Sequence, residues 1–85
     1  MNTFKLKIVS PDESIFDGEA VCLSVRGAEG DLAVMAGHTQ FVTAVKECEC
    51  KIYLPDEKVK TGKTDGGLLT VGKNETVFLC GKFEE

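Results

Sequence analysis

No stretch of the sequence is apolar for long enough to cross a bilayer as a helix, and no signal peptide opens it. The chain is therefore expected on the cytoplasmic side of its membrane. Basic residues are also in the minority: ten Lys and Arg stand against 14 Asp and Glu, a formal net charge of −4. Nucleic-acid binding needs clustered cations to neutralise phosphates. Lys5, Lys7, Lys58, Lys60 and Lys63 are instead interleaved with apolar or acidic residues, as on a solvated strand face, so no nucleic-acid partner is expected. Histidine is scarcer still. His38 is the only one, and a general base needs a partner to orient it, which no sequence neighbour supplies. It reads as an exposed turn or protein-contact residue. Also missing is any recurrence of apolar residues at helical spacing over three turns, which removes helical folds from consideration.

What remains is period two. Phe4, Leu6 and Ile8 alternate with Lys5, Lys7 and Val9, and Val21, Leu23 and Val25 alternate up to Arg26. Asp17-Gly18 between them predicts a tight turn. Gly27-Ala28-Glu29-Gly30-Asp31 predicts a surface loop before the apolar run from Leu32 to Met35. A β-branched and aromatic run follows from Phe41 to Lys46. Cys48, Cys50, Ile52 and Leu54 then alternate against Glu47, Glu49, Lys51 and Tyr53, giving one inward edge. Pro55-Asp56-Glu57 turns the chain into a segment at 58–63 anchored by Val59 alone. Leu68 to Val71 and Thr76 to Cys80, separated by Gly72-Lys73-Asn74-Glu75, predict a hairpin. The fold class is all-β, a small sandwich or barrel of short, mostly antiparallel strands. At 85 residues it is expected to form one domain, with its nine glycines spread over the turns.

The chemistry-bearing residues are sparse. Cys22, Cys48, Cys50 and Cys80 are expected to be reduced, structural thiols, with neither a disulfide nor a metal. Paired metal ligands usually have two residues between them, whereas Cys48 and Cys50 have one. A small metalloprotein built on these two thiols is the alternative that elemental analysis separates. Glu29 and Asp31 lack the further oxygens of a calcium loop and read as an exposed acidic tip. Gly27 and Gly30 resemble a phosphate cradle only superficially, since neither the Lys-Ser/Thr of a P-loop nor a following helix is present. No cofactor and no small-molecule ligand are expected. A freestanding sandwich that binds some other protein through a sheet edge or an apolar patch is a second alternative.

The order of these segments resembles a known family. The opening from Phe4 to Asp12, the Phe16-Asp17-Gly18-Glu19 turn and the block from Gly27 to Lys46 are similar to the ε subunit of bacterial and chloroplast F-type ATP synthase, called δ in mitochondria. That family reads Gly-x-Glu-Gly-Glu-Leu-Gly-Val/Ile-x-Pro-Gly-His across the second block. Asp65-Gly66-Gly67-Leu68-Leu69-Thr70-Val71, continued by Asn74 to Cys80, matches a later one. Ala33, Ala36 and Gln40 depart from the family's Gly, Pro and Pro.

The resemblance implies a β-sandwich that turns with the γ subunit and rests on the c-ring, a non-catalytic rotor part held peripherally at the cytoplasmic face of the membrane. It implies c-ring contact through Glu29, Gly30 and Asp31, and γ contact through His38, Thr39, Phe41 and Thr43. In the family a helical hairpin follows the sandwich, and the sequence stops at Glu85 before one.

Overall fold

A computed structural model describes residues 2–37 and 39–84, so His38 lies outside the described residues. Every helix or strand among them is a strand: β1 (Phe4–Val9), β2 (Ser14–Ala20), β3 (Cys22–Gly27), β4 (Gly30–Met35), β5 (Phe41–Val45), β6 (Cys48–Tyr53), β7 (Val59–Thr64), β8 (Gly67–Val71), β9 (Glu75–Cys80) and β10 (Phe83–Glu84). Hydrogen bonding runs in the order β10-β7-β6-β3-β5-β8-β9-β1-β2, with β4 on the other edge of β3. The β1–β9 pair is parallel, whereas the remaining pairs are antiparallel.

This path folds into two layers that meet at β3 and β5. Leu23, Val25, Val34, Cys50 and Ile52 come from one layer, and Leu6, Ile8, Val45, Leu69, Val71, Phe78 and Cys80 from the other. All of them bury into one core cluster. The alternation read from the sequence is the cause: on a strand every second side chain faces the same way. In β1 Leu6 and Ile8 are sealed from solvent, and in β6 Cys50 and Ile52 take the inward positions. Phe78, the largest fully buried side chain, sits between the layers. Truncating it to Ala is expected to cost about 3–5 kcal/mol, from lost transfer energy and the cavity left behind.

The structure corrects several local expectations. Asp17 and Gly18 do not form a turn; they lie inside β2, opposite Lys7 and Leu6. The chain reverses earlier, where the Ser10 N–H donates to the Glu13 carbonyl at 2.9 Å. The segment from Gly27 to Asp31 is not an open loop. Gly27 pairs with Gly30 and only Ala28 and Glu29 form the turn, a tight hairpin made possible by Gly30 at φ 130°.

Val59 is not the anchor of β7. It is half exposed, and the inner face of that strand is Gly62 and Thr64. The ring of Phe83, on the unanticipated strand β10, fills the space that Gly62 leaves, with its Cζ 2.7 Å from where a Cβ would stand. Nor are the glycines confined to turns: Gly18, Gly27, Gly30, Gly62 and Gly67 are strand residues.

Candidate protein-docking surface

The hairpin between β3 and β4 carries the acidic tip. Arg26 and Asp31 are cross-strand partners, and the Arg26 Nε lies 3.2 Å from the Asp31 Oδ1. Both side chains are largely exposed, so the pair orients the tip more than it stabilises the fold. Glu29 occupies the turn, exposed, and has no ion-pair partner among the described residues.

Of the residues expected to meet γ, Thr39 is exposed, while Phe41 is half-buried and packs against the core. Thr43 is half-buried in β5, and its hydroxyl donates to the Ala44 carbonyl at 3.4 Å. The expected c-ring and γ contacts, distinct in the sequence, are neighbours in space. Gly27 to Leu32 and Phe41 to Thr43 together line one surface depression of about 510 Å³. It gathers Glu29, Gly30, Asp31, Phe41 and Thr43. Thr39 stands outside this lining.

The junction between β3 and β5 causes this convergence. Gly27 stands opposite Val45, the Ala28 N–H donates to the Ala44 carbonyl at 3.0 Å, and the Lys46 N–H donates to the Arg26 carbonyl at 2.9 Å. These bonds hold the base of the hairpin against the end of β5.

Sequence reasoning missed a row of apolar side chains on the outer face of the same layer. Ala44, Leu68, Leu79 and Val9 are successive partners across β5, β8, β9 and β1. Leu68 and Leu79 are 44% and 48% exposed. A signal was present in the unbroken run Val77-Phe78-Leu79-Cys80, which is apolar on both faces of its strand rather than one. This row is a candidate contact face.

The cysteines carry free thiols. Burial, then the neighbouring Cys48 thiol, pushes Cys50 up to about 12, and burial also pushes Cys22 and Cys80 up. Protonated thiols of this kind are poor nucleophiles. No group of three or more His, Cys, Asp or Glu side chains among the described residues is arranged to hold a metal ion. Cys48 lines a second depression of about 520 Å³ together with Lys63, Asp65 and Lys82. The Asp65 carboxylate there is engaged, accepting the Gly81 N–H at 3.2 Å and the Lys82 N–H at 2.9 Å.

Comparison with known proteins agrees with this architecture. Residues 3–85 match the family model of the ATP synthase delta/epsilon chain β-sandwich domain. The sodium ion specific ATP synthase epsilon chain of Acetobacterium woodii is 39% identical over 77 residues, covering 91% of this chain and 58% of that one. The ATP synthase epsilon chain of Clostridium novyi is 33% identical over 78 residues, covering 92% and 60%. The chain thus spans about three fifths of the length of these curated relatives.

The same fold occurs in a chain of the Euglena gracilis mitochondrial ATP synthase structure of OSCP, F1 and c-ring. The TM-score is 0.89 at 19% identity, over 95% of this chain and 52% of that one. It occurs again in the Tetrahymena thermophila mitochondrial ATP synthase central stalk and c-ring, with a TM-score of 0.83 at 12% identity, over 99% and 67%. With a family model matched over nearly its whole length, the chain belongs to the ATP synthase delta/epsilon family and forms its β-sandwich domain.

Proposed function

We propose that the chain is a rotor adaptor of an F-type ATP synthase, joining the γ subunit to the c-ring without an active site of its own. The observation that carries this reading is the shared depression, which puts the acidic hairpin tip and the Phe41 to Thr43 segment on one surface of a family member. A joint that transmits torque needs a stiff body, and ladder bonds through two packed layers supply one. It also needs adhesive surfaces. Glu29 and Asp31 offer carboxylates to basic groups on the polar loops of the c-ring, giving orientation and register more than affinity. Phe41 and Thr43 offer γ a half-buried ring and a hydroxyl, and on the opposite face of β5 Val42 and Ala44 adjoin the exposed apolar row through Leu68 and Leu79. Thr39 and His38 extend the segment that faces γ.

On this reading the chain works peripherally at the cytoplasmic face of the membrane, one sandwich domain within the rotor. The double substitution Glu29→Lys with Asp31→Lys tests it in a co-purification assay on membranes that carry the rest of the enzyme. The folded double variant is expected to be lost from the membrane fraction. Retention equal to the wild type contradicts the role given to the tip.

A further inference from the structure

Period two leaves a second outer face, on the layer built from β4, β3, β6 and β7. Met35, Cys22, Tyr53 and Val59 are successive partners across these four strands, and all take outward positions. Met35, Tyr53 and Val59 are 55%, 38% and 50% exposed, so this row is an apolar band in contact with solvent. At the other end of the same face the outward row is charged. Asp31 partners Arg26, and Glu49 partners Lys63. Arg26 and Glu49 stand on either side of the β3–β6 seam, one outward row beyond its last pair, Ser24 with Lys51. Arg26, Asp31 and Glu49 border one surface depression of about 360 Å³.

Across the strands the charged row runs Asp31, Arg26, Glu49, Lys63, which is minus, plus, minus, plus. Reversed, the order is plus, minus, plus, minus, so the row is complementary to its own reverse. A two-fold axis lying in this face, along the strands and between β3 and β6, applies that reversal. It sets Asp31 against Lys63 of a second copy and Arg26 against Glu49. The same operation lays the apolar band on itself, Met35 against Val59 and Cys22 against Tyr53. In the row between, it sets the long Lys51 over the short Ser24. Two-fold interfaces need self-complementarity of this kind, in which residue i meets j while j meets i. Stacked sheets also keep their strand directions within about 30° of each other, which an axis along the strands supplies.

We infer that this face is a homodimer interface, covered by a second copy of the same chain across that two-fold axis. Within one copy Arg26 and Asp31 are already paired at 3.2 Å, but both are largely exposed, and each has room for a second opposite charge. Four strands about 4.8 Å apart and five residues at about 3.3 Å each give a flat footprint of about 300 Å² per copy. That falls well short of the roughly 800 Å² per partner of a standard interface, so the dimer is a weak one, with a dissociation constant on the order of 100 μM. The charges fix its register and exclude others, while the apolar band supplies area without desolvating a charge. The rotor-adaptor reading is independent of this dimer and holds whether or not it forms.

Sedimentation equilibrium on the chain, from about 10 μM to about 1 mM, compares wild type, Asp31→Lys, Lys63→Asp and an equimolar mixture of the two variants. Either variant alone brings like charges together twice per dimer, and is expected to associate at least about tenfold more weakly than wild type. The mixture restores opposite charges at both contacts and is expected to return to within about threefold of wild type. Amide resonances of Cys22, Lys51 and Tyr53 that shift with wild-type concentration, while those of Leu68 and Leu79 stay fixed, stand as support even where a variant fails to fold. A wild type that remains monomeric to about 1 mM overturns the dimer. So do shifts at Leu68 and Leu79 instead, or association that neither variant weakens or that the mixture does not restore, since the contact then lies on another surface or in another register.

Discussion

Gly27 stands opposite Val45, and this is the one register match between β3 and β5 among the described residues. Through it the two layers of the sandwich become one continuous sheet, and the acidic hairpin is held beside the Phe41 to Thr43 segment. Gly27 is buried, and a Cβ there would already lie 3.3 Å from the Gly30 carbonyl oxygen. Gly27→Val is therefore expected to lower stability by about 1–3 kcal/mol through overpacking. Urea denaturation checks the loss, and a variant as stable as wild type contradicts the tight junction described.

The contact between Gly62 and Phe83 gives a second expectation. Phe83 Cζ, at 2.7 Å, and the Glu84 carbonyl oxygen, at 2.9 Å, crowd the site of a Cβ, so Gly62→Ala must push β10 off the sheet. Thermal melting is expected to show a loss of about 1–3 kcal/mol. In a Phe83→Ala background the same substitution is expected to cost less, since its main obstruction is gone. Strict additivity of the two changes argues against this packing.

Cys50 makes stability depend on alkaline pH. Its folded-state pKa is pushed from 9.0 up to about 12, chiefly by burial. The unfolded chain releases this proton first, so the stabilising difference is complete below about pH 9 and is lost progressively as pH rises toward about 12. The urea midpoint is expected to fall between about pH 8 and about pH 10.5, and to fall less steeply in Cys50→Ala. Equal slopes for the two proteins contradict the assignment.

Breaking the Arg26–Asp31 pair separates folding from docking. Both groups are solvated, at 62% and 82% side-chain exposure, so Asp31→Asn is expected to change stability by less than about 1 kcal/mol. Any larger effect on membrane retention then belongs to the interface. A stability loss well above that bound, measured by chemical denaturation, shows instead that the pair supports the fold.

The parts of this fold legible in the sequence are those where burial alternates cleanly. Leu6 and Ile8, Cys50 and Ile52, and the β8–β9 hairpin follow directly from period two. Glycine caused most of the errors. Gly18 looks like punctuation in one dimension but is a strand residue, and Gly62, inside the strand segment expected at 58–63, serves a ring more than 20 residues away in sequence. Lys60 reads as a solvated charge, although it lies over the Phe16 ring at 5.8 Å. The residues proposed for docking come from the resemblance. Their meeting around one depression depends on the β3–β5 junction, a long-range pairing that no local pattern encodes.

The central claim is that this body serves as a docking piece between two rotor components. Calorimetric titration of the chain with γ, followed by addition of the c-ring, tests it most directly. A saturable complex with γ at micromolar or tighter affinity, able to retain the ring through Glu29 and Asp31, is the expected result. Failure to associate with either component at concentrations on the order of 100 μM contradicts the account.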